Sequence, residues 1–312
     1  MQNSKRAIVK IIREVCLENN ISCESFSYDW IFRLSKGNQT AHIFGYQFEK
    51  NSSTSHLICS DKCSASDLLQ LSQVPAVEHT FFMSPMHIKY VGVSGNWLKL
   101  YELLNQHGKL VCKSNEGTGG NSIYLVSNQF ELENAVHKIY SCSMSMAVCP
   151  FYEIENEFRV VVLDGKAKLI YRKNIPYLLG DGVSTLRQIL IAYLQQNLNC
   201  PVNFNIPDED YLKVINYGQK YYLNWKHNLG QGANPEIVQD EKLREQLSDL
   251  ALRAAKAVNI HFASIDIIET NNQYLVLEIN SGVMMENFSK LNDSNYQIAK
   301  GIYQEVIESM LS

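Results

Sequence analysis

Ile8, Ile11, Ile12 and Val15 recur at helical spacing, which predicts an amphipathic first helix. Short β-prone pieces follow around residues 30–34, 40–44 and 56–60. A helix over 66–72, with Ser66 as its N-cap, should end at Val74-Pro75-Ala76. Residues 96–105 predict another helix, stopped by Gly108. In CKSNEGTGGNSIYLV, residues 112–126, two strands flank a glycine turn. Residues 129–140 read as a helix whose apolar side holds Phe130, Leu132, Ala135, Val136 and Ile139, and 146–152 as an apolar connector containing Pro150. Strands over 158–163 and 167–171 are joined by Asp164-Gly165, the strongest hairpin signal in the chain. Gly180-Asp181-Gly182 marks a turn before a capped helix over 184–193. Residues 195–240 are polar and carry Pro201, Pro207 and Pro235, so they read as an insertion or extended loop, in which 211–215 could pair as a strand. Leu243, Leu247, Leu250, Ala251, Ala254 and Val258 mark a helix; strands over 262–269 and 274–279 surround Asn271-Asn272; Ile298, Ile302, Val306, Ile307 and Met310 mark the last helix. Strands and helices mixed without strict alternation predict an α+β fold with antiparallel sheets.

Composition narrows the class. The 312 residues are 46% hydrophobic and 19% charged, which suits a soluble globular chain with a substantial core. A net charge of -4, with basic residues scattered, argues against nucleic acid as a partner. No apolar run approaches the roughly 18 residues of a membrane span, and the charges in MQNSKRAIVKIIREVCLENN exclude a signal h-region. The eight cysteines contain no Cys-x-x-Cys pair, so a zinc site is not expected. The expectation is a reduced, cytoplasmic protein without a membrane partner.

Candidate chemistry concentrates in ASIDIIETNNQYLVLEINSG. Side chains alternate along a strand, so Glu278 and Asn280 share a face, with Leu275, Leu277 and Ile279 on the other. Ser264, Asp266 and Ile268 share a face of the preceding strand. A turn centred on Asn272 sets Asp266 opposite Glu278 and gathers two carboxylates and an amide oxygen, hard donors that suit Mg²⁺. A one-residue slip would leave them as solvated surface acids instead. Glu157 and Arg159 share a face of ENEFRVVVL, where the pair is either a structural ion pair or a cation aimed at phosphate. The 112–126 stretch by itself is a lysine and a soft turn.

In order, Asp61-Lys62, Lys113 with its glycine loop, Glu157-x-Arg159, Asp266 and Glu278-x-Asn280 resemble the ATP-grasp superfamily. EFRVVVLDGKAKLIYRK, LLGDGVSTLRQIL, KHNLGQGANPEIVQD and SIDIIE look most like the ATP-grasp domain of cyanophycin synthetases and bifunctional glutathione synthetases, carboxylate-amine ligases. The resemblance covers roughly residues 57–290 and none of the first fifty. It implies two α+β lobes gripping ATP between antiparallel sheets, after an N-terminal α/β segment: residues 1–80 before the grasp, 81–150 as the lid lobe, 151–312 as the large lobe with the metal site.

The resemblance further implies that Lys62 and Lys113 contact phosphates, that Glu116, Gly117, Thr118, Gly119 and Gly120 form the lid, that Val148 to Phe151 line the adenine, and that Glu157 holds the ribose. Asp266, Glu278 and Asn280 would hold Mg²⁺, with Mn²⁺ an alternative ion, and Arg159 and Asn280 would act at the transferred phosphoryl group. Arg172, Lys173 and Asn228 are further assignments. Three stretches depart from the family's pattern: Cys149-Pro150 where a glutamate is usual, Ala263-Ser264-Ile265 before the first metal aspartate, and SGVMMENF after Asn280. The implied reaction is ATP-dependent ligation of a carboxylate to an amine, an amino acid or peptide, through an acyl phosphate; a homodimer is compatible with it. The same nucleotide residues would serve a phosphotransferase or a nucleotide-binding scaffold without turnover. His227 is a candidate base by position alone, against the reading of a satisfied structural histidine.

Overall fold

The computed structural model describes residues 6–312 except 91, 93–95, 117–121, 197–203, 205, 225, 226 and 228. The chain divides into two units, Met1–Ile170 with Gln239–Ser312, and Tyr171–Val238.

The larger unit begins with α1 (Ala7–Glu18), whose Ile8, Ile11, Ile12 and Val15 are at most 1% exposed, as their spacing predicts. Its N-cap residue, Arg6, supplies no side-chain cap; the Glu286 carboxylate instead accepts from Ala7 N at 2.8 Å and Ile8 N at 3.0 Å. A carboxylate from the far end of the chain thus satisfies two orphan amides at the positive end of the helix. An antiparallel sheet follows, β1 (Ser22–Phe26), β2 (Ile31–Lys36), β3 (Gln39–Phe44) and β4 (Gln47–Phe48), in sequence order. Phe48 stacks on Tyr303 at 5.5 Å and meets Phe262 edge-on at 5.2 Å.

The next stretch departs from expectation. Residues 56–60 lie within a helix, α2 (Ser53–Ser60), and α3 spans Lys62–Leu71. Ser52 Oγ caps the first helix by accepting from Ser55 N, and Asp61 Oδ1 caps the second by accepting from Ser64 N at 2.7 Å. Capping outweighs the weak β propensity of so short a run. Ser66 is therefore inside a helix and no cap; its hydroxyl donates to Val77 O and accepts from His79 N.

A second antiparallel sheet has the order β5 (Thr80–Met83), β8 (Ser145–Pro150), β6 (Leu110–Ser114), β7 (Ile123–Val126), numbered along the chain. The apolar run over 146–152 is thus mostly strand rather than connector. One face of this sheet, with Phe82, Leu110, Cys112, Val126, Met146 and Val148, forms a core with α4 (Asn96–His107) and α5 (Gln129–Tyr140). Gly108 (φ 72) ends α4 as expected. On α5, Leu132, Ala135 and Ile139 are buried, but Phe130 is 72% exposed and does not join the apolar side.

A third antiparallel sheet carries β9 (Asn156–Leu163), β10 (Lys166–Asn174), β14 (Phe262–Thr270) and β15 (Gln273–Asn280) in the order β10-β9-β14-β15. Asp164 (φ 46) and Gly165 (φ 71) make the tight turn their sequence predicts. The helix α7 (Glu241–Ala257) packs against β9, β14 and β15, and α8 (Glu286–Ser289) and α9 (Asp293–Met310) close the unit. The antiparallel pairings and mixed elements are those of an α+β fold.

In the smaller unit, the end of β10 pairs with β13 (Asn234–Ile237), and β11 (Tyr177–Leu179) pairs with β12 (Lys220–Tyr222). Residues 211–215 contribute only an isolated bridge at Val214 with Thr185, not a strand. The helix α6 spans Leu186–Gln196, and its cap is Thr185, not Ser184: Thr185 Oγ1 accepts from Gln188 N while Gln188 Oε1 accepts from Thr185 N at 2.8 Å. Gly180 has a physical reason to be glycine, since a Cβ there would lie 2.2 Å from Asn216 O. Asp181 Oδ1 accepts from Val183 N and Ser184 N, and the hydrogen bonds at Ser184 and Val183 hold its carboxyl down to about 2. Among the described residues, no helix is long and apolar enough to cross a membrane.

Candidate active site

Three strands bring the candidate carboxylates and the arginine into one row. Asp266 of β14 lies opposite Arg159 of β9 on one side and Glu278 of β15 on the other. Ser264, two residues before Asp266, faces Asn280. The pairing of Asp266 with Glu278 arises differently from expectation. Asn271 (φ 48) and Asn272 (φ 59) form a two-residue turn, setting Thr270 against Gln273 and Ile268 against Leu275. That register alone would set Asp266 against Leu277. A bulge between Asp266 and Ile267 shifts it by one residue and restores Glu278.

The bulge also corrects the face assignment. Leu275 and Leu277 do not lie with Ile279 on the far face; they pack with Ile268 in a cluster that includes Val77, Cys149, Val111, Tyr152 and Ile154. Val276 and Ile279 keep the buried far face. The row of Arg159, Asp266 and Glu278 therefore adjoins an apolar floor. Cys149 fills that floor, and burial raises its thiol so that it stays protonated and neutral.

Arg159 clamps Asp266 with a fork, Nε to Oδ1 and a terminal nitrogen to Oδ2, both at 2.7 Å. The aspartate side chain is 2% exposed and the arginine 17%. Glu278 Oε1 accepts from Asn280 Nδ2 at 3.1 Å. Glu157 is 7% exposed and shares the Arg159 face, opposite Ile268. No cluster of three or more His, Cys, Asp or Glu that could hold a metal occurs among the described residues. Mg²⁺ retains waters and phosphate oxygens as ligands and needs only one or two protein carboxylates, so Asp266, Glu278 and the Asn280 amide oxygen fit it chemically.

The two candidate phosphate lysines converge from the second sheet. Lys113 pairs with Ala147 across β6 and β8, on the face opposite the helix core, and is buried. Lys62 opens α3, and its Nζ donates to Asn115 O at 3.3 Å. Burial lowers the Lys62 ammonium, Lys113 lowers it further, and Glu278 and Asp61 pull it back up. Sequence reasoning missed Asn115, which is fully buried. Its carbonyl also accepts from Lys62 N, its Oδ1 accepts from Cys63 N at 3.2 Å, and its Nδ2 donates to Asp61 Oδ2 at 2.5 Å. One amide thus ties the Lys62 helix to the end of the Lys113 strand; the signal available was a polar residue two positions after a strand lysine.

Other expected residues fall elsewhere. Val148 turns its side chain into the helix core, so only its backbone is available on the face that carries Lys113. Phe151 is half-buried, with Lys109 Nζ 5.7 Å from its ring centre. Glu116 is exposed. Gly117, Thr118, Gly119, Gly120 and Asn228 lie outside the described residues. In the smaller unit, Lys173 is buried, and Arg172 pairs opposite Glu236. His227 is buried there with Nδ1 2.9 Å from Lys173 O, and burial lowers its pKa; it has the environment of a structural histidine. In SGVMMENF, Val283, Met285 and Phe288 are core and Glu286 caps α1, so this departure builds the fold.

Residues 213–306 match the family model of the RimK-like ATP-grasp domain, a match that begins within the polar 195–240 stretch. A tetrahydromethanopterin:α-L-glutamate ligase from Methanocaldococcus jannaschii is 33% identical over 89 residues, 28% of this chain and 29% of that protein. A bifunctional glutathione synthetase from Pasteurella multocida superposes with a TM-score of 0.57 at 15% identity, over 95% of this chain and 44% of that one. A D-alanine–D-alanine ligase from Bacillus anthracis, complexed with ATP, superposes with a TM-score of 0.55 at 15% identity, over 84% of this chain and 68% of that one. The match thus spans under a third of the M. jannaschii relative's length and under half of the synthetase's. The chain has the ATP-grasp fold, and its residues 213–306 are similar to the RimK-like ATP-grasp domain.

Proposed function

We propose that the protein is an ATP-dependent carboxylate-amine ligase that uses Mg²⁺ and joins an amino acid or peptide amine to a carboxylate through an acyl phosphate. The observation that carries this reading is the row Arg159–Asp266–Glu278, in register across three strands, with Lys62 within the electrostatic reach of Glu278. Phosphoryl transfer needs charge neutralisation and in-line positioning more than covalent help. Lys62 and Lys113 would hold the phosphates and the apolar floor at Val111, Cys149, Ile268, Leu275 and Leu277 the base. Glu157 would take the ribose. Arg159, released from its fork, would face the transferred phosphoryl group. Asp266, Glu278 and Asn280 would hold Mg²⁺, which would supply neutralisation of phosphate charge. The carboxylate oxygen attacks the γ-phosphorus, ADP leaves, and the amine then displaces phosphate from the acyl carbon. Residues 81–150 would act as the lid lobe, excluding water from the acyl phosphate.

The names of the relatives support an amino acid as the amine: one is a glutamate ligase, others are glutathione and D-alanine–D-alanine ligases. A cytoplasmic setting is supported by the cysteines, which are all free among the described residues. The test is ADP release from ATP and Mg²⁺ across amino acids and small peptides, with Asp266→Asn and Glu278→Gln as controls. At least one acceptor should stimulate release of both ADP and phosphate, and both variants should lose about 100-fold or more of that rate. A phosphorylated product without free phosphate would establish a phosphotransferase. ATP–Mg²⁺ binding with no acceptor effect would leave a scaffold.

A further inference from the structure

His79 was not among the residues singled out by sequence. It precedes β5, and its backbone N–H is fixed by Ser66 Oγ at 3.1 Å. Thr80 pairs with Val148, so the next position along the same register sets His79 beside Cys149. Cys149 in turn pairs with Val111. By alternation, His79, Cys149, Val111 and Lys113 share the face turned away from the helix core. The residue is 7% exposed, yet among the described residues neither ring nitrogen completes a hydrogen bond of good geometry. A buried imidazole with both nitrogens unsatisfied calls for a partner.

The charges acting on the ring explain its state. Burial holds His79 well below the usual histidine range, Lys113 on β6 and Lys62 on α3 add to this, and the Val77 carbonyl opposes them. The neighbouring thiols, Cys149 on β8 and Cys63 on α3, are raised by burial and so carry no charge. Asp61 and Glu278 act on Lys62. Anionic oxygens arriving at the two lysines would reverse the sign of the local potential.

We propose that His79 is a further nucleotide-binding residue: neutral without nucleotide, it takes up a proton from solvent as phosphate oxygens settle against Lys62 and Lys113, and then donates a hydrogen bond to them. The inference rests on the nucleotide reading of this site. Its sign is fixed by linkage. A group whose pKa rises on binding makes the ligand bind more tightly as pH falls, by up to about tenfold per pH unit between the free and bound pKa values.

The test is ADP–Mg²⁺ affinity from pH 5.5 to 8 in the wild type and His79→Gln, with calorimetry in buffers of different ionisation heat to count protons. The nucleotide's own phosphate titrates alike with both proteins, so the ratio of their dissociation constants isolates His79. That ratio should be largest at low pH and shrink as pH rises, and the wild type should take up a fraction of a proton that the variant does not. Equal proton uptake with a pH-independent ratio overturns the proposal. No ADP binding by the wild type at any pH overturns the nucleotide reading itself, and this proposal with it. Should the variant fail to fold, ¹⁵N-histidine spectra of the wild type decide. One ring that is neutral at pH 6 must become protonated on adding ADP–Mg²⁺, and it must persist in His227→Gln; a ring that stays neutral overturns the proposal.

Discussion

Arg159 and Asp266, two candidate site residues, form a buried pair across neighbouring strands. The aspartate is almost wholly buried, and the guanidinium fork supplies both of its oxygens with charge-assisted hydrogen bonds. Such a pair adds little over a hydrophobic replacement, but breaking it strands a buried charge. Arg159→Met should therefore cost about 3–5 kcal/mol of stability, read by urea unfolding at pH 7, and the loss should shrink when Asp266→Asn is added. A double variant as unstable as Arg159→Met alone would refute the stranded-charge account. The type and order of these two residues were legible in the sequence. Their fork was not, because strand pairing between residues 107 positions apart is set only when the sheet forms.

Elements carry the next level of order. The Asp266–Glu278 alignment depends on a turn and a bulge acting together, and alternation alone cannot announce a bulge. Reading the strand without one placed the carboxylates correctly and the leucines on the wrong face. At α1, the helix was plain from its apolar spacing, while its cap came from Glu286, 279 residues away from Ala7. Burial pushes the Glu286 carboxyl up, but hydrogen bonds from Ile8 N, Lys290 and Ala7 N outweigh it and hold the pKa below the usual value. A depressed folded-state pKa contributes stability that is full above the unfolded value, near 4.3, and is lost as pH falls through the folded value. Glu286→Gln should cost about 1–2 kcal/mol at pH 7. The difference from wild type should narrow as pH falls below about 4.3. Thermal unfolding between pH 3 and 7 measures this; a difference that widens on acidification would rule out the carboxylate cap.

At the scale of the whole molecule, the first fifty residues carry none of the family resemblance in sequence. The structure builds them into the larger unit. Phe48 packs on Tyr303 and Phe262, Asn51 Oδ1 accepts from His261 N and Phe262 N, and Lys300 pairs with Glu14 and Glu18. Removing residues 1–50 should expose the α9 face and leave a chain that unfolds without a cooperative transition or aggregates. Size-exclusion chromatography and calorimetric melting would check this; a monomeric fragment with a sharp transition would show the segment to be an accessory.

The sequence by itself determined the α+β class, the long helices, the two tight turns at Asp164-Gly165 and Asn271-Asn272, and the ordered set of lysines, arginine and carboxylates. These follow from local rules: apolar period, turn chemistry and residue type act within a few positions. Only the tertiary structure decided the bulge at Asp266, the apolar floor with Leu275 and Leu277, the Asn115 tie between Lys62 and Lys113, the capping of α1 by Glu286 and the isolation of the His79 ring. Each of these joins groups far apart in the chain, and its energy comes from burial and charge that exist only once the sheets have packed.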